Sequence, residues 1–158
     1  MQPCHANHRE KQMHKKDAVI FDVDGTLCDV SSIRHLVTGG NRDFHAFHMA
    51  SIDCPPHDFV VEAARETLRK GQQVLVVTAR MQQYRNVTAM WLAMHGVPSD
   101  ALFMRANGDF RKDFFVKKDI LDRIRTRWNP VHAFDDNPAV LELWEQEGVS
   151  YTIVPGWS

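Results

Sequence analysis

Two pairs of carboxylates are set at the ends of apolar runs. In residues 18–29, AVIFDVDGTLCD, four apolar residues lead directly into Asp22 and Asp24, with Gly25 and Thr26 next. In residues 131–136, VHAFDD, a second run meets Asp135 and Asp136. Burying charge there is costly, and two carboxylates about 4 Å apart repel by roughly 4 kcal/mol at an effective dielectric of 20. The arrangement asks for a divalent cation. Asp22, Asp24, Asp135 and Asp136, with no His or Cys at the same edge, form an all-oxygen ligand set that favours Mg²⁺ over Zn²⁺. Thr78 and Arg80 follow VLVV (74–77), and Arg105 follows ALFM (101–104). A metal, a carboxylate nucleophile, a hydroxyl and cations together suit a phosphate monoester. Asp22 would attack phosphorus to give an acyl phosphate; Asp24 would protonate the leaving oxygen and later deprotonate water. The uncatalysed reaction needs accelerations up to about 10²¹. Charge neutralisation by the metal, Lys117 and the Thr78 hydroxyl must therefore dominate.

These residues need a scaffold that delivers them to one edge. AVIF, VLVV, ALFM, VHAF and YTIV are short, rich in β-branched residues and unbroken by polar alternation, which predicts strands buried on both faces. Helical patterns separate them. Those over residues 59–70, 82–95 and 138–147 each stop before a glycine, Gly71, Gly96 and Gly148, where a helix end takes positive φ. The pattern over 113–127 places Val116, Ile120, Ile124 and Trp128 on one stripe. The alternation predicts a doubly wound, Rossmann-like α/β fold: a parallel five-stranded sheet with helices on both faces. Ligands bind beyond the carboxyl ends of such strands, and residues two apart in an extended segment face the same side, so Asp22 and Asp24 should both point into the crevice. Residues 29–56 are too long for an ordinary loop and read as a small cap insertion.

The 158 residues are one domain's worth, read as a polar tail (1–16) and a folded domain (17–158) with 44% hydrophobic content overall. The formal net charge of −1 excludes a polyanion binder by overall charge, though not by local patches. Cys4, Cys28 and Cys54 are odd in number and lack CxxC spacing, which argues against a disulfide framework and for a reducing, cytoplasmic setting. Cys28 reads as a small buried hydrophobe. With no apolar leader and no run of about 18 apolar residues, neither export nor a membrane is expected. Cys4, His5, His8 and His14 read as part of a solvated arm rather than a metal cluster. Residues 104–127 carry eight Lys/Arg against four Asp/Glu, either a nucleic-acid footprint or a solvated helix face. Phe44, His45, Phe47 and His48 either stack a base or pack the cap onto the body.

In order along the chain, DVDGT after a strand, the Thr of VVTAR, a Lys opening a later helix and DD after a further strand resemble the four motifs of the haloacid dehalogenase (HAD) phosphatase superfamily. The resemblance implies Asp22 as nucleophile, Asp24 as general acid/base and backbone metal ligand, Thr78 as phosphate donor, Lys117 as the bridge between nucleophile and phosphate, and Asp135 and Asp136 as metal ligands. A closer likeness covers residues 18–155. RANGDFRKDFFVKKDIL (105–121) is similar to a segment of the 3′-phosphatase domain of the T-even phage polynucleotide kinase-phosphatases. It singles out Lys117 over Lys118 and adds Arg80 and Arg105 as substrate-phosphate ligands. Where that family has an Arg after its DD pair, this chain has Asn137. The insertion aligns poorly; Arg34 and Asp53 are its candidates for further substrate-binding residues.

The expected function is a Mg²⁺-dependent phosphatase removing a terminal phosphate from nucleic acid, a 3′ end in repair, with a mononucleotide phosphatase as the enzymatic alternative. A phosphate-end binding module without turnover is the third reading, against which the paired Asp22 and Asp24 stand. No GxxxxGK[ST] occurs, so no P-loop kinase is expected within the chain; a kinase or ligase partner would be separate.

Overall fold

The structure is a computed structural model that describes residues 15–157. The histidine-bearing arm, residues 1–14, lies outside the described residues. Five strands, β1 (Lys16–Phe21), β2 (Gln73–Met81), β3 (Ala101–Arg105), β4 (Trp128–Asp135) and β5 (Tyr151–Ile153), pair in parallel in the order β3-β2-β1-β4-β5. The helices are α1 (Phe44–Ala50), α2 (Asp58–Arg69), α3 (Arg85–Met94), α4 (Asp113–Arg125) and α5 (Pro138–Gln146).

The unbroken apolar runs serve two cores, as period-2 geometry requires. Val19 and Phe21 of β1, with Val74 and Val76 of β2, pack against Val60, Val61 and Ala64 of α2 and Trp91 and Leu92 of α3. Ala18 and Ile20, with Leu75 and Val77, pack on the other face against Val116, Ile120, Leu121 and Ile124 of α4 and Val140, Leu143 and Trp144 of α5. The fold is the expected doubly wound, Rossmann-like α/β architecture. The expected helix-stop glycines Gly71, Gly96 and Gly148 all have positive φ.

Three local expectations are corrected. Trp128 does not extend the α4 stripe; the helix ends at Arg125 and Trp128 opens β4. β4 also starts three residues before VHAF and takes in Pro130. The register against β1 shifts between Ala18 and Val19, opposite Pro130 and His132, and a proline without an N–H is tolerated at such an irregularity. Finally, the chain is not extended across Asp22 and Asp24. It leaves β1 at Phe21 and turns, with the Thr26 and Cys28 amides bonding the Val23 carbonyl (3.1 and 2.9 Å) and the Leu27 amide bonding that of Asp22 (3.2 Å).

That turn depends on Gly25. Its φ is +80°, and an added Cβ would lie 1.9 Å from Asp136 Oδ2. Gly71 has a similar φ, +76°, with open space around it. Gly71→Ala should therefore cost only the left-handed penalty, about 1–2 kcal/mol, and Gly25→Ala clearly more. Equal losses in denaturant unfolding would show that the contact with Asp136 has no weight.

Residues 29–56 are ordered. Single 3₁₀ turns, Arg34–Leu36 and Ser51–Asp53, flank α1, whose first turn is capped by Asp43 accepting from the Ala46 amide (2.9 Å). The neck is held by the Asp29 amide on the Pro55 carbonyl (2.8 Å) and the Trp91 indole on the Cys54 carbonyl (2.9 Å). Phe47 and Cys28 are buried in the core beneath.

Candidate active site

β1 lies between β2, which leads outward to β3, and β4, which leads outward to β5. The order of the sheet reverses there, and a crevice forms beyond the strand ends. Its cavity, about 860 Å³, is lined by Asp22, Asp24, Thr78, Arg80, Arg105, Lys117, Asp135 and Asp136, together with Arg34. Asp22 is buried; its Oδ1 accepts from Lys117 Nζ (2.9 Å) and its Oδ2 from the Thr26 hydroxyl (2.8 Å). Lys117, one turn into α4, also donates to Asp135 Oδ2 (2.8 Å). Asp135 Oδ1 takes the amides of Asp136 (3.0 Å) and Asn137 (3.2 Å), which fixes it at the start of α5.

Asp22, Asp135 and Asp136 each present an oxygen within 4.8 Å of the others, and Asp136 Oδ2 is buried with no hydrogen-bond partner. Burial, and then Asp135, push the Asp22 carboxyl well above its usual range against the pull of Lys117. The same two causes raise Asp136 to about 6. One ammonium among three buried carboxylates leaves an excess of negative charge and an unused oxygen, and this fits a hard divalent cation. The Asp24 carboxylate lies outside this cluster.

Asp24 belongs to Arg80 instead. The fully buried guanidinium forks onto it, Nε to Oδ2 at 3.0 Å and Nη2 to Oδ1 at 2.5 Å, while Nη1 donates to Thr88 Oγ1 (3.0 Å). Burial pushes the Asp24 carboxyl up, but the Arg80 ion pair outweighs it and holds the group below its usual value. Arg80 is thus committed to a protein carboxylate, where the sequence suggested a substrate ligand. Thr78 is buried beside it, its Oγ1 accepting the Arg80 amide (3.2 Å).

Arg105 is engaged as fully. Nε donates to the Ala79 carbonyl (2.8 Å), Nη1 to the carbonyls of Asp109 (2.9 Å) and Arg111 (2.5 Å), and Nη2 to Asp113 Oδ1 (2.7 Å). It pins the β3–α4 loop, with little left to offer a phosphate. Asp113, absent from the residues expected at the site, lines the cavity and also accepts from Asn137 Nδ2 (3.2 Å). Its position four residues before Lys117, one turn earlier on the same helix, was the available signal. Arg34 reaches the site from the insertion: it donates to the Gly156 carbonyl, its Nη2 stands 3.8 Å from Asp136 Oδ2, and its buried Nε has no partner. Asp53 is not brought in. It sits exposed in the second 3₁₀ turn and does not line the cavity.

The profile of the family described as "Polynucleotide kinase PNKP phosphatase domain" matches residues 16–155. A protein of Autographa californica nuclear polyhedrosis virus named "Putative bifunctional polynucleotide kinase/RNA ligase" is 27% identical over 131 residues, 81% of this chain and 18% of its own length. A Bacillus cereus protein named "Putative nucleotidase" is 30% identical over 90 residues, 56% of this chain and 43% of its own length. The chain therefore spans less than half of either relative. Among solved structures, one titled "Structure of Pnkp1/Rnl/Hen1 complex" superposes with a TM-score of 0.75 at 26% identity, covering 89% of this chain and 46% of that one. The class C acid phosphatase of Bacillus anthracis shares the fold, with a TM-score of 0.67 at 16% identity over 94% of this chain and 70% of its own. With the family profile spanning nearly the whole folded region, the chain belongs to the phosphatase-domain family of polynucleotide kinase-phosphatase, within the HAD phosphatases.

Proposed function

We propose that this HAD phosphatase domain hydrolyses a phosphomonoester at a polynucleotide 3′ end, through an aspartyl phosphate on Asp22 and with Mg²⁺. The supporting observation is the buried Lys117 ammonium between Asp22 and Asp135. It pulls the Asp22 pKa down against burial and Asp135, and it holds Asp22 close to the excess of carboxylates. In the first half-reaction an Asp22 oxygen bonds to phosphorus as the P–O ester bond breaks, and Asp24 gives a proton to the departing sugar oxygen. In the second, Asp24 takes a proton from water as the water oxygen displaces Asp22 and releases phosphate. Held as a carboxylate by Arg80, Asp24 is ready for the second role; the first requires that it take up a proton as the fork loosens. Thr78 and Lys117 donate to the transferring group. Held by Asp22, Asp135 and Asp136, Mg²⁺ would neutralise charge on the nonbridging oxygens. Residues 29–56 serve as the cap over the cavity, and Arg34, carried by that cap, is the cation best placed to meet a phosphate.

Metal binding has a readout independent of turnover. A carboxyl whose folded pKa is raised holds a proton that the unfolded chain has lost, so metal-free stability falls as pH climbs from about 4 through about 6, the value for Asp136. Mg²⁺ should therefore raise the Tm more at pH 7.5 than at pH 5, and EDTA should abolish activity that Mg²⁺ restores. An equal shift at both pH values would remove the metal from these carboxylates.

The polynucleotide reading rests on the family match and on relatives named for kinase and ligase activities or assembled as Pnkp1/Rnl/Hen1, which makes a kinase or ligase activity the natural partner of this one. The nucleotidase-named relative favours a mononucleotide as the second reading. Phosphate release compared across 3′-phosphorylated oligonucleotides, 5′-phosphorylated oligonucleotides and 3′-mononucleotides decides between them. Equal efficiency on oligonucleotide and mononucleotide promotes the second. Among the described residues no helix is long and apolar enough to cross a membrane, and the buried free thiols of Cys28 and Cys54 suit a reducing compartment such as the cytoplasm.

A further inference from the structure

Three exposed aromatic rings converge on the mouth of the reacting cavity from three separate segments: Phe44 (54% exposed) from the first turn of α1, Phe110 (86%) from the β3–α4 loop, and Trp157 (50%) from the segment after β5. Leaving such rings in water forfeits burial worth about 1.5–3 kcal/mol for a phenylalanine, yet the backbone under each is fixed. Arg105 binds the carbonyls of Asp109 and Arg111, one on either side of Phe110. Asp43 caps the turn that carries Phe44. Arg34 binds the Gly156 carbonyl, and its guanidinium carbon lies 5.9 Å from the Trp157 ring centre. Exposed rings on rigid supports are ready to stack with little ordering cost. Arg42 and Arg111 line the same mouth, the Arg111 guanidinium paired with Asp109 and Asp119.

Resting on the polynucleotide reading above, we propose that Phe44, Phe110 and Trp157 form a stacking platform for unpaired nucleobases next to the phosphate. The enzyme then takes single-stranded or frayed ends with little regard to base identity, because every base offers a π-face. A nucleobase is favoured over an apolar protein segment because the rings continue directly into the carboxylate floor at Asp22 and Asp135, where the phosphate must lie.

The test uses a single-stranded oligonucleotide with 2-aminopurine at its 3′-hydroxyl end, so that no turnover is required. Wild type should quench the fluorescence, and Phe110→Ala, Phe110→Leu and Trp157→Ala should each weaken the affinity about fivefold or more. Phe59→Ala, an exposed ring on α2 away from the cavity, should match wild type. With an abasic end the three variants should bind like wild type. No quenching by wild type, or Phe110→Leu binding as tightly as wild type, overturns the platform. Phosphate release from 3′-phosphorylated strands is measured separately. Quenching without release from any polynucleotide end defeats the proposed function and leaves the platform standing, whereas release with unaltered affinity in the ring variants does the reverse.

Discussion

Asp22→Asn will lower kcat on any phosphomonoester by about 10⁴-fold or more while leaving the protein folded. The amide keeps the shape of the carboxylate but cannot form the acyl phosphate, and removing a covalent nucleophile costs on that order. Stability should hold, because the replacement removes one of three crowded carboxylates, one whose charge burial already opposes. Asp24→Asn should behave differently. The nucleophile remains, so a burst of leaving group and a trapped phosphoenzyme should appear with a good leaving group, followed by slow turnover. Asp24→Asn should also destabilise the fold, since Arg80 is buried and loses the carboxylate its fork grips. An Asp22→Asn variant with near wild-type turnover, or an Asp24→Asn variant that gives neither burst nor phosphoenzyme, would reverse or remove these assignments.

The positions of the candidate site residues were readable from the chain because each apolar run names a strand and the next polar residue lies toward its carboxyl end, although β2 runs on past Thr78 to Met81. That logic places Asp22, Thr78, Arg105 and Asp135 without any knowledge of contacts. The partners of those groups were not readable. Arg80 meets Asp24 across 56 residues of sequence, and whether a guanidinium at a strand end faces a substrate or a neighbouring carboxylate is decided by packing. Arg105 looked like a phosphate ligand by the same reasoning and is consumed by the loop that follows it. The basic character of residues 104–127 leaves two readings open, and the course of the helix bears on the choice. A helix that follows a parallel strand runs back from the carboxyl edge, so only the first turns of α4 reach the cavity. Arg123 and Arg125 lie in its last turn, one against the Phe103 ring and the other paired with Glu147. Their contacts with the fold favour the solvated-face alternative for that end of the helix. The rings at the mouth are only partly visible in the chain: Phe44 stands in an aromatic cluster with His45, Phe47 and His48, whereas Phe110 and Trp157 are isolated in sequence and come together only in the fold.

Lys117→Met is expected to cost about 3–5 kcal/mol of stability as well as all activity, because it strips the counterion from Asp22 and Asp135, both buried. For a domain of this size that is a Tm loss of about 10 °C. Lys118→Met, next along the helix, removes only solvent-screened pairs with Asp122 and Glu147 and should cost far less than the Lys117 change. The pH dependence separates charge neutralisation from mere packing of the lysine stem. Lys117 now pulls the Asp22 pKa down against burial and Asp135, so its loss sends that pKa higher. The native variant then holds a proton that the unfolded chain releases near pH 4, and its stability declines as pH rises from there through the new, higher value. The deficit relative to wild type should accordingly be small at pH 5 and large at pH 8. Combining Lys117→Met with Asp22→Asn should restore part of the loss at pH 8, since one of the two stranded charges is gone. A deficit independent of pH, and undiminished in the double variant, would mean that Lys117 holds α4 to the sheet by contact alone. The ammonium would then have no claim to a place in the chemistry at Asp22.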